Sequence, residues 1–330
     1  MMPRSLFIMH ASQYDDAEEL VQKIRAVLGN FQGYRALHAD GRMFRGFFRA
    51  NENARKYTRA VHLQGDEVPV TVRVSKGGGD PFAHFGNTVG MAVRFYLPNG
   101  RVTNLVMLSQ LLFVVNSLEQ LHGILEAALP LAPGGPMNKE GLMAFVARNP
   151  NTAAVLQMRS QTPAPAGFPW CAFHAVHAFR WIAEDGTETV VRCHWEPVAG
   201  VRFREVKELS AEDAEVLFND LEAQVAQGPV EWDLVLEFAE PGDPINDATA
   251  LWPEGRRRET VGRLRVVAPT TEAEIGDLVM NHDPTVLTDG IEATDDPILQ
   301  IRRGIYEVSA AQRTGGWKSC PFAAMAGAGQ

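Results

Sequence analysis

Between residues 15 and 28, apolar side chains recur at Leu20, Val21, Ile24, Val27 and Leu28. This is the spacing of one helix face, and Gly29 follows as a stop. From Tyr34 to Phe113 the pattern shortens to β-branched and aromatic runs, VPVTVRVS, GMAVRFYL and RVTNLVML among them, parted by Gly, Asn, Asp and Pro. These runs predict antiparallel strands. A helical stretch around 117–128 and a Pro/Gly-rich connection at 129–136 come next, after which strands resume: WCAFHAVHAFRWI, an EDG turn and TETVVRCHWEPV read as a hairpin. A helix is predicted over 211–226 with Ser210 as its cap, then strands in EWDLVLEF and ETVGRLRVVA and an irregular segment over 270–294. The final helix opens at Asp296-Pro297, with proline at its favoured first position.

Six to eight strands in two halves, with helices at the start, middle and end, predict an α+β protein on an antiparallel sheet or barrel that is closed or heavily covered. With 330 residues, 45% hydrophobic and 22% charged, the chain can bury a large core in one big domain or two modest ones. A disordered or fibrous class is excluded. The net charge of -9 gives no field for neutralising phosphates, so nucleic acid is not an expected partner and a small molecule is. No run reaches the roughly 18 apolar residues of a membrane span, and the start MMPRSLFIMHASQYDD lacks a signal peptide's apolar stretch, so a cytoplasmic location is expected. Cys171, Cys193 and Cys320 are too few and scattered for a disulfide framework, and none forms a CxxC pair. Cys320 lies in KSCPF; a Cys-Pro pair can donate a thiolate to haem, and a free tail cysteine is the simpler assignment.

Three groups of residues carry candidate chemistry. On the final helix, Arg302, Tyr306 and Arg313 are separated by 4 and 7 residues, which puts them within roughly 40° of one another at about 100° per residue. A guanidinium one turn from a phenol favours the phenolate, a hard anionic donor for ferric iron. The same spacing also fits a solvated arginine stripe beside an ordinary tyrosine. In RALHADGRMFRGFF, His38 sits in a strand-like segment, and an imidazole can both accept and donate a proton near neutrality; a core or surface histidine fits equally. In VTVRVSKGGGDP, Arg73 and Ser75 project from the same strand face. The serine can orient an imidazole and the arginine can grip a carboxylate, or simply line a sheet rim.

RALHADG, VRVS, GMAVRFY and ILQIRRGIY, with Arg313 seven residues on, resemble the haem-binding core of the catalases in the same order and with similar spacings. The stretch from HAVHAFRW through the next hairpin resembles it more weakly. The resemblance runs over residues 30–315, leaves 316–330 as a tail, and is nearest to the small catalase-related haem peroxidases. It implies a single minimal haem domain over 1–330: a closed antiparallel eight-stranded β-barrel of the catalase type with helices packed around it. It further implies haem b, Tyr306 as iron ligand, Arg302 as partner of its phenolate, His38 as distal acid/base and Ser75 as the partner of His38. Arg35, Arg73 and Arg313 are implied at the haem propionates or edge, Phe113 in the distal pocket and Leu37 in the access channel. His177 matches a proximal-side histidine, whereas His174 and His282 stand where the family has aromatic residues.

The chain departs from that pattern at Leu108, where catalases keep a distal asparagine. Losing an amide donor weakens the second use of peroxide, as reductant. Ser109 or Gln110 would replace it only if the strand register slips, which normally reverses the facing of each side chain. The expectation is therefore a peroxidase that reduces hydrogen peroxide or organic hydroperoxides with a small organic electron donor, with weak catalase activity. Leu37, Leu108 and Phe113 would admit alkyl chains. A haem-dependent lyase or isomerase of lipid hydroperoxides and a non-enzymatic haem-binding protein are the other classes. A monomer or homodimer is expected, because the interlocking arms of large catalases are absent from the sequence.

Overall fold

In a computed structural model, which describes residues 11–98 and 100–314, the chain opens with helix α1 (Ala11–Leu28). Strands β1 (Gly41–Ala50), β2 (Glu67–Lys76), β3 (Val89–Tyr96) and β4 (Val102–Leu108) then form an antiparallel meander. Three helices follow, α2 (Leu118–Ala128), α3 (Lys139–Arg148) and α4 (Pro150–Gln161). Next come short β5 (Ala164–Pro165), β6 (Phe173–His174), β7 (Phe179–Ile182), β8 (Glu188–Pro197) and β9 (Phe203–Arg204), the last pairing with β5. Helices α5 (Val206–Ser210) and α6 (Val216–Val225) lead to the long strands β10 (Val230–Phe238) and β11 (Arg258–Thr270). A short α7 (Glu272–Ile275), β12 (Ile291–Ala293) and α8 (Pro297–Arg313) close the described chain.

The strands run β10-β11-β1-β2-β3-β4-β6-β8, and β8 pairs back onto β10, so eight antiparallel strands form a closed barrel. Closure removes the open edges that invite aggregation. One edge of β8 is shared: its first residues pair with β7 and its last with β6, and β7 carries β12 outside the ring. Alternation along β1 drives Phe44, Phe48 and Ala50 inward while Arg45, Phe47 and Arg49 face out. The barrel interior holds Phe44, Phe48, Phe95, Trp195 and Trp232, with the Phe48 ring edge-on to Phe95 at 5.3 Å and to Trp195 at 5.9 Å. Where β1 shifts register on β11, a Cβ on Gly46 would lie 2.3 Å from the Arg265 carbonyl oxygen, so only glycine fits.

Most predicted elements form, with three corrections. Between the expected connection at 129–136 and the resumed strands, residues 139–161 form helices α3 and α4, which no sequence pattern predicted. Their apolar faces are thin, since α4 buries only Thr152 and Val155, and the start of α4 is set instead by Pro150 in its first turn. The helix expected over 211–226 begins at Val216, and Ser210 ends α5 rather than capping α6. His38 is on a bend, not a strand, with a positive φ of 51°. Cys320 lies outside the described residues.

The outer barrel wall is covered on one side. There α8 and α1 pack around Leu20, Val21, Ile24, Ile298, Ile301 and Val308, with Ala36, Val115 and Leu121 joining them. Asp296 caps α8 by accepting from Ile298 N at 2.9 Å. Outward-facing residues of β2, Thr71, Arg73 and Ser75 among them, are buried although they point away from the barrel core.

Candidate functional site

The site is built on that covered outer wall. Ser75 on β2 pairs in register with Gly90 on β3, and Gly90 with Leu108 on β4, so the three lie side by side on one face. Ser75 Oγ and His38 Nδ1 are 3.0 Å apart. A Cβ on Gly90 would lie 2.8 Å from Ser75 Oγ and 2.9 Å from His38 Nδ1, so the absent side chain makes room for the pair. Arg73, two residues before Ser75 on the same face, donates to the carbonyls of His38 at 2.9 Å and Ala39 at 3.3 Å. It therefore fixes the strained bend that carries the imidazole. Loss of solvent and the nearby Arg73, Arg302 and Arg159 push the His38 pKa down to about 4, against an opposing contribution from the Lys76 carbonyl. His38 is neutral at pH 7.

On α8, Arg302 Nη2 donates to Tyr306 Oη at 2.8 Å, and its guanidinium also lies over the phenol ring at 5.4 Å. The His177 ring is fixed by Asp296, whose second carboxylate oxygen is 2.7 Å from His177 Nδ1. That leaves His177 Nε2 buried without a partner. Burial depresses the His177 pKa, with Arg302 close enough to add to the effect. Ala36 N donates to Ser309 Oγ at 3.3 Å, tying the segment that carries His38 to α8, so the Ser75–His38 and Arg302–Tyr306 pairs belong to one site.

Beside these pairs three guanidiniums, Arg35, Arg94 and Arg313, converge on the segment after α7, and Arg73 lies within electrostatic reach of Arg35 and Arg313. Arg35 donates to Glu272 at 3.0 Å and to the Met280 carbonyl at 2.8 Å, and Arg94 to Asp277 and to the Asn281 carbonyl, each at 2.5 Å. Arg313 donates to the Val279 carbonyl, and its Nε is buried without a partner. Burial is the first cause lowering the pKa of Arg73, and Arg35 and Arg313 add to it; Arg313 is pushed down to about 10 by burial and Arg35. Arg35, Arg73, Arg94 and Arg313 outnumber the carboxylates among them, Glu272, Asp277 and Asp40, and a net positive charge enclosed by protein suits an anion. A phenol with an arginine partner, a poised imidazole and this cationic cluster match the chemistry of a ferric porphyrin with two carboxylates. The residues present fit that group.

Of the sequence-predicted residues, Arg35, Arg73, Ser75, His38, Arg302, Tyr306 and Arg313 are brought into this region. Phe113 packs with Val114 against the α1/α8 cluster, on the loop after β4. Leu108 faces outward from the barrel beside Gly90. Ser109 Oγ donates to the Asn87 carbonyl at 3.1 Å and Gln110 Nε2 to the same carbonyl at 3.0 Å, so neither hydroxyl nor amide takes the place of a donor at position 108. Leu37 is 39% exposed, more than an enclosed wall residue would be. His174 pairs across the strands with Leu108, and its Nδ1 lies 2.8 Å from His194 Nδ1 rather than near His177.

Sequence reasoning missed Arg159. At the end of α4 its Nη2 donates to the Leu112 carbonyl at 2.5 Å, its Nε is buried without a partner, and its charge reaches His38. No motif marks it, because α4 itself was not foreseen. Asp296 was legible only as a helix cap, since its second bond, to His177, crosses 119 residues of sequence.

The family model described as Catalase matches residues 20–320. The chain is 34% identical over 301 residues to a catalase-related peroxidase of Mycolicibacterium paratuberculosis, covering 90% of this chain and 95% of that protein. A catalase-related peroxidase of Synechococcus elongatus is 31% identical over 301 residues, covering 91% and 89%. Catalase-2 of Bacillus subtilis is 29% identical, covering 86% of this chain and 44% of that protein. Among solved structures, a bacterial catalase superposes with a TM-score of 0.77 at 21% identity, over 97% of this chain and 63% of that one, a likeness of fold.

Proposed function

Because the chain belongs to the catalase family, we propose that it is a haem-dependent peroxidase, an oxidoreductase that reduces hydrogen peroxide or an organic hydroperoxide with a small organic electron donor and has weak catalase activity. The observation that carries this reading is the Ser75–His38 contact at 3.0 Å beside the Arg302–Tyr306 bond at 2.8 Å, with the segment that carries His38 tied to α8 by Ala36 N donating to Ser309 Oγ at 3.3 Å. Relatives with the printed name catalase-related peroxidase match this chain over nearly their whole length, which supports the choice of peroxidase. The catalytic domain is the single unit that the barrel and its covering helices make, acting as a monomer or homodimer in the cytoplasm. Among the described residues no helix is long and apolar enough to cross a membrane.

The residues that would hold haem b are Tyr306, as the iron ligand, and Arg35, Arg73 and Arg313 at the carboxylates, with Phe113 in the distal pocket. When bound, the haem iron supplies the redox chemistry that cleaves the peroxide O–O bond. Arg302 keeps a cationic donor on the phenol oxygen and so favours its anionic form as a ligand. His38, held neutral, is ready to accept a proton. With Nδ1–H donating to Ser75 Oγ, Nε2 keeps its lone pair, takes the proton of the incoming hydroperoxide and returns it to the departing oxygen. Leu108 offers no donor to hold a second peroxide in the orientation of a reductant, which favours an external donor.

The test is reconstitution of the haem-free protein, followed by stopped-flow mixing with hydrogen peroxide and with an alkyl hydroperoxide, with and without a dye donor. The expected results are a Soret band in the wild type, its weakening or loss in Tyr306→Phe, and faster turnover with the dye than without. Normally ligated haem in Tyr306→Phe would overturn the ligand assignment, and rapid oxygen release without a donor would overturn the peroxidase reading.

A further inference from the structure

His282 is 4% exposed, and both of its ring nitrogens are buried without a hydrogen-bond partner. Native structures rarely leave one buried polar atom orphaned, let alone both ends of one ring. An aromatic residue would fill the same volume at no such cost. Its surroundings are one-sided. Burial, then the charges of Arg94, Arg35, Arg73 and Arg313, keep the imidazole neutral. Three of these arginines donate to the carbonyls of Val279, Met280 and Asn281, immediately before His282, and so tie it to the cluster. The nearby carboxylates are already engaged, Glu272 by Arg35, Asp277 by Arg94 and the buried Asp283 by the Thr285 hydroxyl. All four charged groups that act on the ring are cations, so its neutral N–H is left without an acceptor.

We propose that His282 is a ligand of the carboxylate end of bound haem, donating an imidazole N–H to a carboxylate that the arginines also hold. This rests on the haem reading above and adds to it a residue that belongs to neither the iron nor the distal side. A neutral donor suits the position: it contributes a hydrogen bond to an anion without adding a fifth positive charge to four crowded guanidiniums. The bare ring nitrogen is free to accept from a neighbouring guanidinium such as Arg313, whose Nε is also unpartnered.

The test is equilibrium titration of haem-free wild type, His282→Phe and His282→Gln with protohaem IX and with its dimethyl ester, which has no carboxylates, together with the rate of haem loss to apomyoglobin. His282→Phe is expected to bind protohaem about tenfold or more weakly and release it correspondingly faster, with affinity for the diester unchanged. His282→Gln, which keeps an N–H donor, is expected to retain most of the affinity. Should the phenylalanine variant not fold, His282→Met serves as the apolar variant in the same titration. Equal affinities of wild type and apolar variant for both porphyrins would overturn the role of His282 while leaving haem binding intact. A wild type that takes up neither porphyrin would overturn the haem reading itself, and this inference with it.

Discussion

The Arg302 guanidinium donates to the Tyr306 phenol oxygen at 2.8 Å, one turn away on α8, and its charge also reaches His177 and His38. Replacing it with leucine keeps the helix and removes the donor. Arg302→Leu is expected to lower haem affinity about tenfold or more, the scale of a lost charge-assisted hydrogen bond, with a shifted charge-transfer band in the ferric spectrum. An unchanged spectrum and affinity would mean that the pair does not act on the iron ligand.

Gly90 makes room for the Ser75–His38 contact. In Gly90→Ala the added methyl would meet Ser75 Oγ at 2.8 Å and His38 Nδ1 at 2.9 Å, so one of the pair must move. The peroxide reaction is expected to slow by about 100-fold, the scale of losing a positioned acid/base, while haem uptake persists. Stopped-flow rates at several peroxide concentrations check this, and wild-type rates would show that the pairing is not needed.

Leu108 stands on the same face as Gly90 and supplies no hydrogen bond. Leu108→Asn restores an amide at that point of the wall. Oxygen release from hydrogen peroxide should rise about tenfold, within what a single well-placed donor contributes, as an oxygen electrode would record. No rise would show that residue 108 does not limit the use of a second peroxide.

Arg159 is one of the charges that depress His38, whose pKa lies near 4. Removing it in Arg159→Leu is expected to move the His38 pKa upward, towards the ordinary histidine value of about 6.5. Imidazole NMR titration of the haem-free protein reads this directly. A downward or absent shift would place Arg159 outside the electrostatic reach of the site.

His62, inside the barrel against the Phe95 ring at 4.8 Å, has its pKa pushed down to about 3 by burial. A depressed histidine favours folding fully above the unfolded value of about 6.5, and that contribution is lost as pH falls towards 3, because the unfolded chain takes up the proton first. At pH 5 this amounts to about 2 kcal/mol. Denaturant unfolding should therefore show stability falling between pH 6.5 and 5, less steeply in His62→Leu; identical slopes would contradict it.

Helical spacing was enough to place Arg302 beside Tyr306, because a helix repeats its own geometry locally. Alternation was enough to put Arg73 and Ser75 on one strand face. It could not say that this face, outward from the barrel, is buried, since that depends on distant segments such as the His38 bend meeting it. Thin apolar faces hid α3 and α4, and with them Arg159.

By itself the sequence determined the antiparallel strands, the capped final helix and the residue types of the site, because local periodicity and hydrogen-bonding chemistry are written along the chain. Only the tertiary structure decided that eight strands close, with β8 meeting β10 across the ring. It alone decided that His38 turns through a left-handed bend onto Ser75 and that four arginines meet around an unpartnered His282. These outcomes join residues up to some 280 positions apart, as Arg35 and Arg313 are. Nothing local specifies them: the closed barrel and its covering helices set those distances, and burial then fixes the charges.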